Sequence, residues 1–86
     1  MPRISEFYGI IIWMYHNDHE PPHFHAEYGE HMMRFTIDSL EPMGGSLPQR
    51  AMRLVREWAE LHRGELMENW RKARSDLPLD RIEPLP

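Results

Sequence analysis

The sequence predicts a single α+β domain over residues 1–86, in which an antiparallel sheet of about four strands is packed by one long, bent C-terminal helix. Two observations lead to this prediction. Between residues 3 and 44, short runs rich in β-branched and aromatic residues are separated by turn-forming residues. Between residues 46 and 74, apolar residues recur with the 3.6-residue period of a helix. Residues 75–86 contain three prolines and are predicted to form an extended tail.

The first two strands are predicted from their hydrophobic patterns. Arg3 to Phe7 alternates between apolar and polar residues, and the dipeptide Tyr8-Gly9 ends the strand. Ile10 to Tyr15 is apolar on both faces, which suits a central strand that is covered on both sides. The following segment, residues 16–22, contains Asn-Asp and Pro-Pro and is predicted to be a loop.

A β-hairpin is the most specific local prediction. Two strands, His23 to Tyr28 and His31 to Asp38, flank Gly29-Glu30, and a Gly-X dipeptide suits a two-residue type II′ turn. This turn predicts the following cross-strand pairs: Tyr28 with His31, Glu27 with Met32, Ala26 with Met33, His25 with Arg34, Phe24 with Phe35, and His23 with Thr36. Every second pair is then apolar, as in Phe24 with Phe35 and Ala26 with Met33, and the intervening pairs are polar. A slip of one residue would destroy this agreement. Residues 40–45 are read as a turn that could contain one short edge strand.

The helix is predicted to begin at Ser46, because Ser46-Leu47-Pro48-Gln49 has the form of a capping box with proline in the first turn. Its apolar stripe consists of Ala51, Leu54, Val55, Trp58, Leu61, His62, Leu66, Trp70 and Ala73. No capping residue lies near Gly64. We therefore expect one helix that bends at Gly64 rather than two helices.

The overall composition limits the classes of function. The chain has no cysteine, which favours a reducing compartment, and we expect a cytoplasmic protein. Its longest apolar run, Ile10 to Tyr15, is far shorter than the roughly 20 residues that a membrane-spanning helix needs, so no membrane partner is expected. The formal net charge of −4 gives no support for nucleic-acid binding. A domain of 86 residues has a thin core, and a homodimer is a reasonable hypothesis.

Three sequence blocks resemble the bacterial family called domain of unknown function 4160. The first block runs from Asn17 to His25 and continues with Tyr28-Gly29-Glu30. The second block comprises Gly45-Ser46-Leu47-Pro48 with Arg50, Leu54-Val55, Glu57-Trp58, Leu61-His62-Arg63, Glu65-Leu66 and Trp70, and a third, Ile82-Glu83-Pro84-Leu85, closes the chain. The resemblance implies a small bacterial cytoplasmic domain of undefined activity. It also implies a genomic neighbour that encodes another small protein, an arrangement similar to a toxin–antitoxin module.

A histidine-rich stretch is the only candidate site. Five of the six histidines lie between residues 16 and 31. His23 and His25 are two residues apart on a strand, so both project from the same face, with Glu27 next on that face. Together with Asp18 and His19 from the preceding loop, they could supply three or four ligands to a divalent cation such as Zn²⁺ or Mn²⁺.

The same face also suits an anion. The predicted register places Arg34 opposite His25 and Thr36 opposite His23, and these four side chains could contact a phosphate or a nucleic-acid backbone. A guanidinium beside a cation site is unfavourable, which argues partly against a metal. In a third interpretation, the histidines only make structural hydrogen bonds.

Two hypotheses for the function follow. The first is a binding or regulatory protein that acts through a partner protein encoded beside it, or through nucleic acid. The second is a histidine- or metal-dependent nuclease or phosphoester hydrolase that uses His23, His25 and Arg34. The sequence does not decide between a catalytic and a non-catalytic protein.

Overall fold

A computed structural model describes residues 2–86 as an antiparallel five-stranded sheet and two helices. The strands are β1 (Arg3–Phe7), β2 (Ile10–Trp13), β3 (His23–Tyr28), β4 (His31–Thr36) and β5 (Pro42–Gly45), and they lie in the sheet in chain order. The helices are α1 (Gln49–Leu61) and α2 (Arg63–Arg74). The predicted α+β class is confirmed. Within residues 2–86, no helix is long and apolar enough to cross a membrane.

The sheet has five strands, so the prediction of about four was one short. The additional strand, β5, pairs with β4 through Met33 with Gly45, Arg34 with Gly44, and Phe35 with Pro42. Proline and glycine have low strand propensity, and β5 exists because its backbone completes hydrogen bonds with β4 rather than because its side chains favour a strand. A register shift between Arg34 and Phe35 accommodates this irregular edge.

The predicted hairpin register is confirmed in all six pairs, from His23 with Thr36 to Tyr28 with His31. Gly29 has a φ of +60°, a conformation that glycine adopts without steric cost. Two strand ends differ from the prediction. β2 ends at Trp13 instead of Tyr15, and β4 ends at Thr36 instead of Asp38.

The two faces of the sheet are not equally covered, contrary to the expectation for the second strand. Ile10 and Ile12 of β2 are fully buried, whereas Ile11 and Trp13 are only partly buried. The helices pack on the side of the sheet that carries Ile10 and Ile12. There, Trp58 of α1 contacts Phe24, with 6.0 Å between the ring centroids. We call the opposite side of the sheet the outer face.

The helical half differs from the prediction in its start and in its break. α1 begins at Gln49, and its N-cap residue is Pro48. No side chain makes a capping hydrogen bond there, so the predicted capping box does not form. The helical conformation is interrupted at His62 (φ −122°, ψ 25°), two residues before Gly64, and this interruption separates α1 from α2. Because α1 ends there, Leu61 is 66% exposed and leaves the predicted apolar stripe.

The C-terminal tail, residues 75–86, contains neither helix nor strand, and it is attached to the rest of the domain. The Ile82 amide donates to the Ile4 carbonyl at 2.7 Å, on the free edge of β1. The indole of Trp58 donates to the Glu83 carbonyl at 2.8 Å. Ile82 and Leu85 are buried in the core. The tail therefore covers one edge of the sheet and part of the helical side.

Candidate functional site

The loop between β2 and β3, residues 14–22, is held against the end of α2. The Asn17 amide donates to the Ala73 carbonyl at 3.2 Å, and the His16 ring donates through Nε2 to the Leu77 carbonyl at 2.9 Å. Arg74 forms an ion pair with Glu20. These contacts place Asp18 of the loop next to the beginning of β3.

Three side chains converge where this loop meets β3. Asp18, His23 and His25 each offer one ligand atom, and these atoms all lie within 4.8 Å of one another. His23 and His25 share the outer face of β3 because side chains alternate along a strand. The turn of the loop then brings Asp18 over the same position. We call these three residues the Asp-His-His cluster.

His23 is fixed by contacts on both of its ring nitrogens. Its Nδ1 donates to the Pro21 carbonyl at 2.7 Å, since a carbonyl oxygen can only accept. Its Nε2 lies 3.0 Å from Oδ2 of Asp18. The ring also packs on Trp70 of α2, with 5.3 Å between centroids, and only 4% of the residue is exposed. The imidazole therefore has one orientation, with Nε2 directed to the carboxylate.

His25 is buried without comparable hydrogen bonding. Only 8% of it is exposed, and the Tyr15 ring packs on it at 4.4 Å between centroids. Its Nδ1 is buried and has no hydrogen-bond partner among residues 2–86. Burial lowers the pKa of His25, the charge of His23 and more weakly that of Arg34 lower it further, and Asp18 opposes them. His25 is consequently neutral at pH 7 and keeps a nitrogen lone pair.

An open cavity of about 300 Å³ adjoins the Asp-His-His cluster. It is lined by Tyr15, Asp18, His19, Glu20, His23, His25, Arg34 and Met43. Arg34 extends from β4 across β5, where its guanidinium lies against Gly44. The cavity is thus lined both by the cluster and by a cationic side chain, Arg34, which is the cross-strand neighbour of His25.

The structure separates the residues predicted for the site into two groups. Asp18, His23, His25 and Arg34 adjoin one cavity, and His19 lines it without belonging to the cluster. Glu27 lies outside it, because its carboxylate accepts a hydrogen bond from the Trp13 indole at 2.7 Å. Thr36 also lies outside, because its hydroxyl contacts Ser39 at 2.8 Å and the Glu41 amide at 3.2 Å.

Sequence reasoning missed Tyr15, Gly44 and Trp70. Tyr15 was assigned to a strand, although it follows β2 and covers His25. Trp70 was read as a residue of the helical stripe, and it is in the core while also supporting His23. The pair Gly44-Gly45 was the one available signal, because consecutive glycines often mark a close approach of another group to the backbone.

Comparison with known proteins gives a family assignment. No curated protein and no solved structure matches the chain. The sequence profile of the family described as a domain of unknown function, DUF4160, matches residues 9–71, which is more than half of the chain and includes the whole Asp-His-His cluster. This match confirms the resemblance found in the sequence: the chain belongs to the DUF4160 family.

Proposed function

We propose that the protein is a divalent-metal-dependent phosphoester hydrolase in which Asp18, His23 and His25 hold Zn²⁺ or Mn²⁺. The observation that carries this proposal is the convergence of three ligand atoms within 4.8 Å of one another beside an open cavity. Two imidazoles and one carboxylate are ligands that suit both ions. Three protein ligands leave coordination positions for water and substrate, which is characteristic of catalytic rather than structural metal sites.

The orientation of His23 supports a metal ligand. A histidine that binds a metal through one nitrogen usually donates its other N–H to a carbonyl or carboxylate, and His23 donates through Nδ1 to Pro21. This leaves Nε2 for the cation. A simple ion pair between His23 and Asp18 would account for these two residues but not for His25, whose buried Nδ1 has no partner within residues 2–86. A buried polar atom without a partner costs about 1–3 kcal/mol, and a cation bound at Nδ1 of His25 would remove that cost.

The chemistry follows from the ligand set and the cavity. A divalent cation held by Asp18, His23 and His25 would lower the pKa of a bound water and so would supply a nucleophile for the phosphorus atom. In the hydrolysis, the water oxygen would form a new P–O bond while the ester P–O bond breaks. One proton of the water would go to the alcohol product, and the other would stay on the released phosphate. Arg34, which also lines the cavity, would offset the negative charge of the phosphoryl oxygens.

The test uses the full chain purified without a histidine tag. We expect one equivalent of Zn²⁺ or Mn²⁺ by elemental analysis and metal-dependent hydrolysis of p-nitrophenyl phosphate. Asp18→Asn and His25→Gln should each lower metal affinity by more than about 10-fold and abolish hydrolysis while the circular-dichroism spectrum stays that of a folded domain. The matched controls are Asp38→Asn and His31→Gln, because both residues are exposed and lie outside the cluster. Equal metal affinity in cluster and control variants would refute the proposal.

A second candidate function is regulatory: a cytoplasmic component of a two-gene, toxin–antitoxin-like module that acts through a neighbouring small protein. Apolar side chains on the outer face support this function. Ile11 and Trp13 of β2 are only partly buried, and Met32 of β4, two strands away on the same face, is 37% exposed. We expect the neighbouring protein to co-purify with the wild-type chain from its native host and not with Met32→Glu. A chain that sediments as a dimer through this face, or that is recovered alone, would argue against this function.

A further inference from the structure

We infer that the substrate is a small molecule with a single terminal phosphate, which Arg34 binds, and not a nucleic-acid strand; this inference rests on the proposed function. Arg34 borders the same cavity as the Asp-His-His cluster and is exposed there. No carboxylate within residues 2–86 forms an ion pair with it. Its guanidinium is therefore available for bidentate hydrogen bonds to phosphate oxygens.

The absence of a side chain at Gly44 leaves the space in which the Arg34 guanidinium lies. A Cβ atom added to Gly44 would lie 2.7 Å from Nη2 of Arg34, 3.6 Å from Cζ and 3.7 Å from Nε. The guanidinium thus rests directly on the backbone of β5, and any side chain at position 44 would displace it. Gly44 is accordingly a positioning residue for the phosphate contact. Its φ is not in the left-handed region, so alanine at position 44 would displace Arg34 without straining the backbone.

The charge around the cavity argues against a nucleic-acid strand. Among residues 2–86, Arg34 is the only Lys or Arg side chain that lines the cavity, while Asp18 contributes one carboxylate and Glu20 contributes a second one that is paired with Arg74. A strand presents a series of phosphates, and its binding affinity comes from several cationic side chains that follow the backbone. The whole chain has a net charge of −4. One guanidinium and one divalent cation match a single phosphate group.

The size of the cavity agrees with a small substrate. Its volume of about 300 Å³ lies at the lower end of the range of small-molecule sites. The substrate that best fits this site is therefore a phosphate monoester whose phosphate bridges Arg34 and the cation.

The experiment titrates the full chain with inorganic phosphate in the presence and in the absence of Mn²⁺, by calorimetry. We expect Arg34→Gln to weaken phosphate binding by about 10–100-fold, the loss typical of a hydrogen bond between charged groups. Gly44→Ala should weaken it less, because the added Cβ would move only the end of the flexible Arg34 side chain. Both variants should retain wild-type affinity for Mn²⁺. The matched controls are Arg53→Gln, an exposed arginine of α1, and Gly64→Ala, where an added Cβ would meet open space.

The outcomes separate the two proposals. Failure of Mn²⁺ and Zn²⁺ to bind would refute the proposed function, while Arg34-dependent binding of phosphate without metal would still support the phosphate contact. Phosphate binding that is unchanged in Arg34→Gln, or absent both with and without metal, would overturn the inference. A ten-nucleotide single-stranded oligonucleotide that binds more tightly than phosphate, with a steep dependence on salt concentration, would overturn it as well.

Discussion

Nε2 of His23 lies 3.0 Å from Oδ2 of Asp18, and this contact joins the loop before β3 to the strand itself. The Nδ1 atom of the same ring already donates to the Pro21 carbonyl. The carboxylate is thus placed at the only ring nitrogen that is free to bind a cation. This arrangement also makes direct anion binding by His23 unfavourable, since an anion would approach the Asp18 carboxylate.

The first prediction concerns this carboxylate. Asp18→Asn keeps the size of the side chain but removes its charge, so it should lower Mn²⁺ affinity by more than about 10-fold while the domain stays folded. Calorimetric titration measures the affinity. Glu27→Gln is the control, because Glu27 was predicted as a ligand and is instead bonded to the Trp13 indole. Equal losses of affinity in Asp18→Asn and Glu27→Gln would contradict the assignment of the ligands.

The second prediction concerns the pH dependence of stability in the metal-free chain. The pKa of His25 is lowered from 6.5, chiefly by burial, so the unfolded chain binds more protons than the folded chain just below pH 6.5. The free energy of unfolding should therefore fall as pH decreases through 6.5, and this contribution should level off below the folded-state pKa. Urea denaturation in the presence of a chelator, at a series of pH values between 8 and 5, measures it.

The variant His25→Gln isolates this contribution, because it removes the titrating group and leaves the carboxylates unchanged. Its free energy of unfolding should decline less steeply than that of the wild type over the same pH interval. The exposed His31→Gln serves as the control and should follow the wild-type curve. Parallel curves for His25→Gln and the wild type would show that His25 does not titrate differently in the folded state.

The sequence predicted the parts of the fold that depend on side-chain pattern. The register of β3 with β4 followed from Gly29 and from alternation, and it placed His23, His25 and Arg34 on one face. Asp18 was expected to join them from its loop. What could not be predicted depends on tertiary contacts, such as the carbonyl of Pro21, which accepts from His23, and the end of α2, which holds the loop. No local pattern encodes either contact.

The third prediction tests one such tertiary contact, the attachment of the tail to α2. The buried Asn69 side chain donates to the Asp80 carbonyl at 2.9 Å and accepts from the Asp80 amide at 3.0 Å. Asn69→Ala should lower the free energy of unfolding by about 2 kcal/mol, since two hydrogen bonds are lost and backbone groups lose their partners. Thermal or urea denaturation measures the change.

Asp80→Ala provides a sharp comparison for this prediction. Asp80 contacts Asn69 only through backbone atoms, which alanine retains, and its side chain pairs with Lys72 at the surface. The loss should stay below about 1 kcal/mol, as for other exposed ion pairs. If Asp80→Ala were as destabilising as Asn69→Ala, the tail would be held by the surface ion pair rather than by the buried amide.

The last prediction concerns β5, the strand that sequence reasoning did not define and that carries Gly44 beneath Arg34. The neighbouring Gly45 has a φ of +86°, and a Cβ atom there would lie 2.1 Å from the Met32 carbonyl oxygen. Gly29 has a φ of +60° but faces open space. Gly29→Ala should therefore lower the free energy of unfolding by about 1 kcal/mol from backbone strain alone, whereas Gly45→Ala adds a clash with the backbone and should lower it clearly more.

Because that clash separates β5 from β4, Gly45→Ala should also weaken phosphate binding at Arg34, which Gly29→Ala should leave unchanged. Urea denaturation and phosphate titration of the two variants, measured side by side, distinguish strain from clash, and equal effects of the two substitutions would show that β5 does not support the cavity.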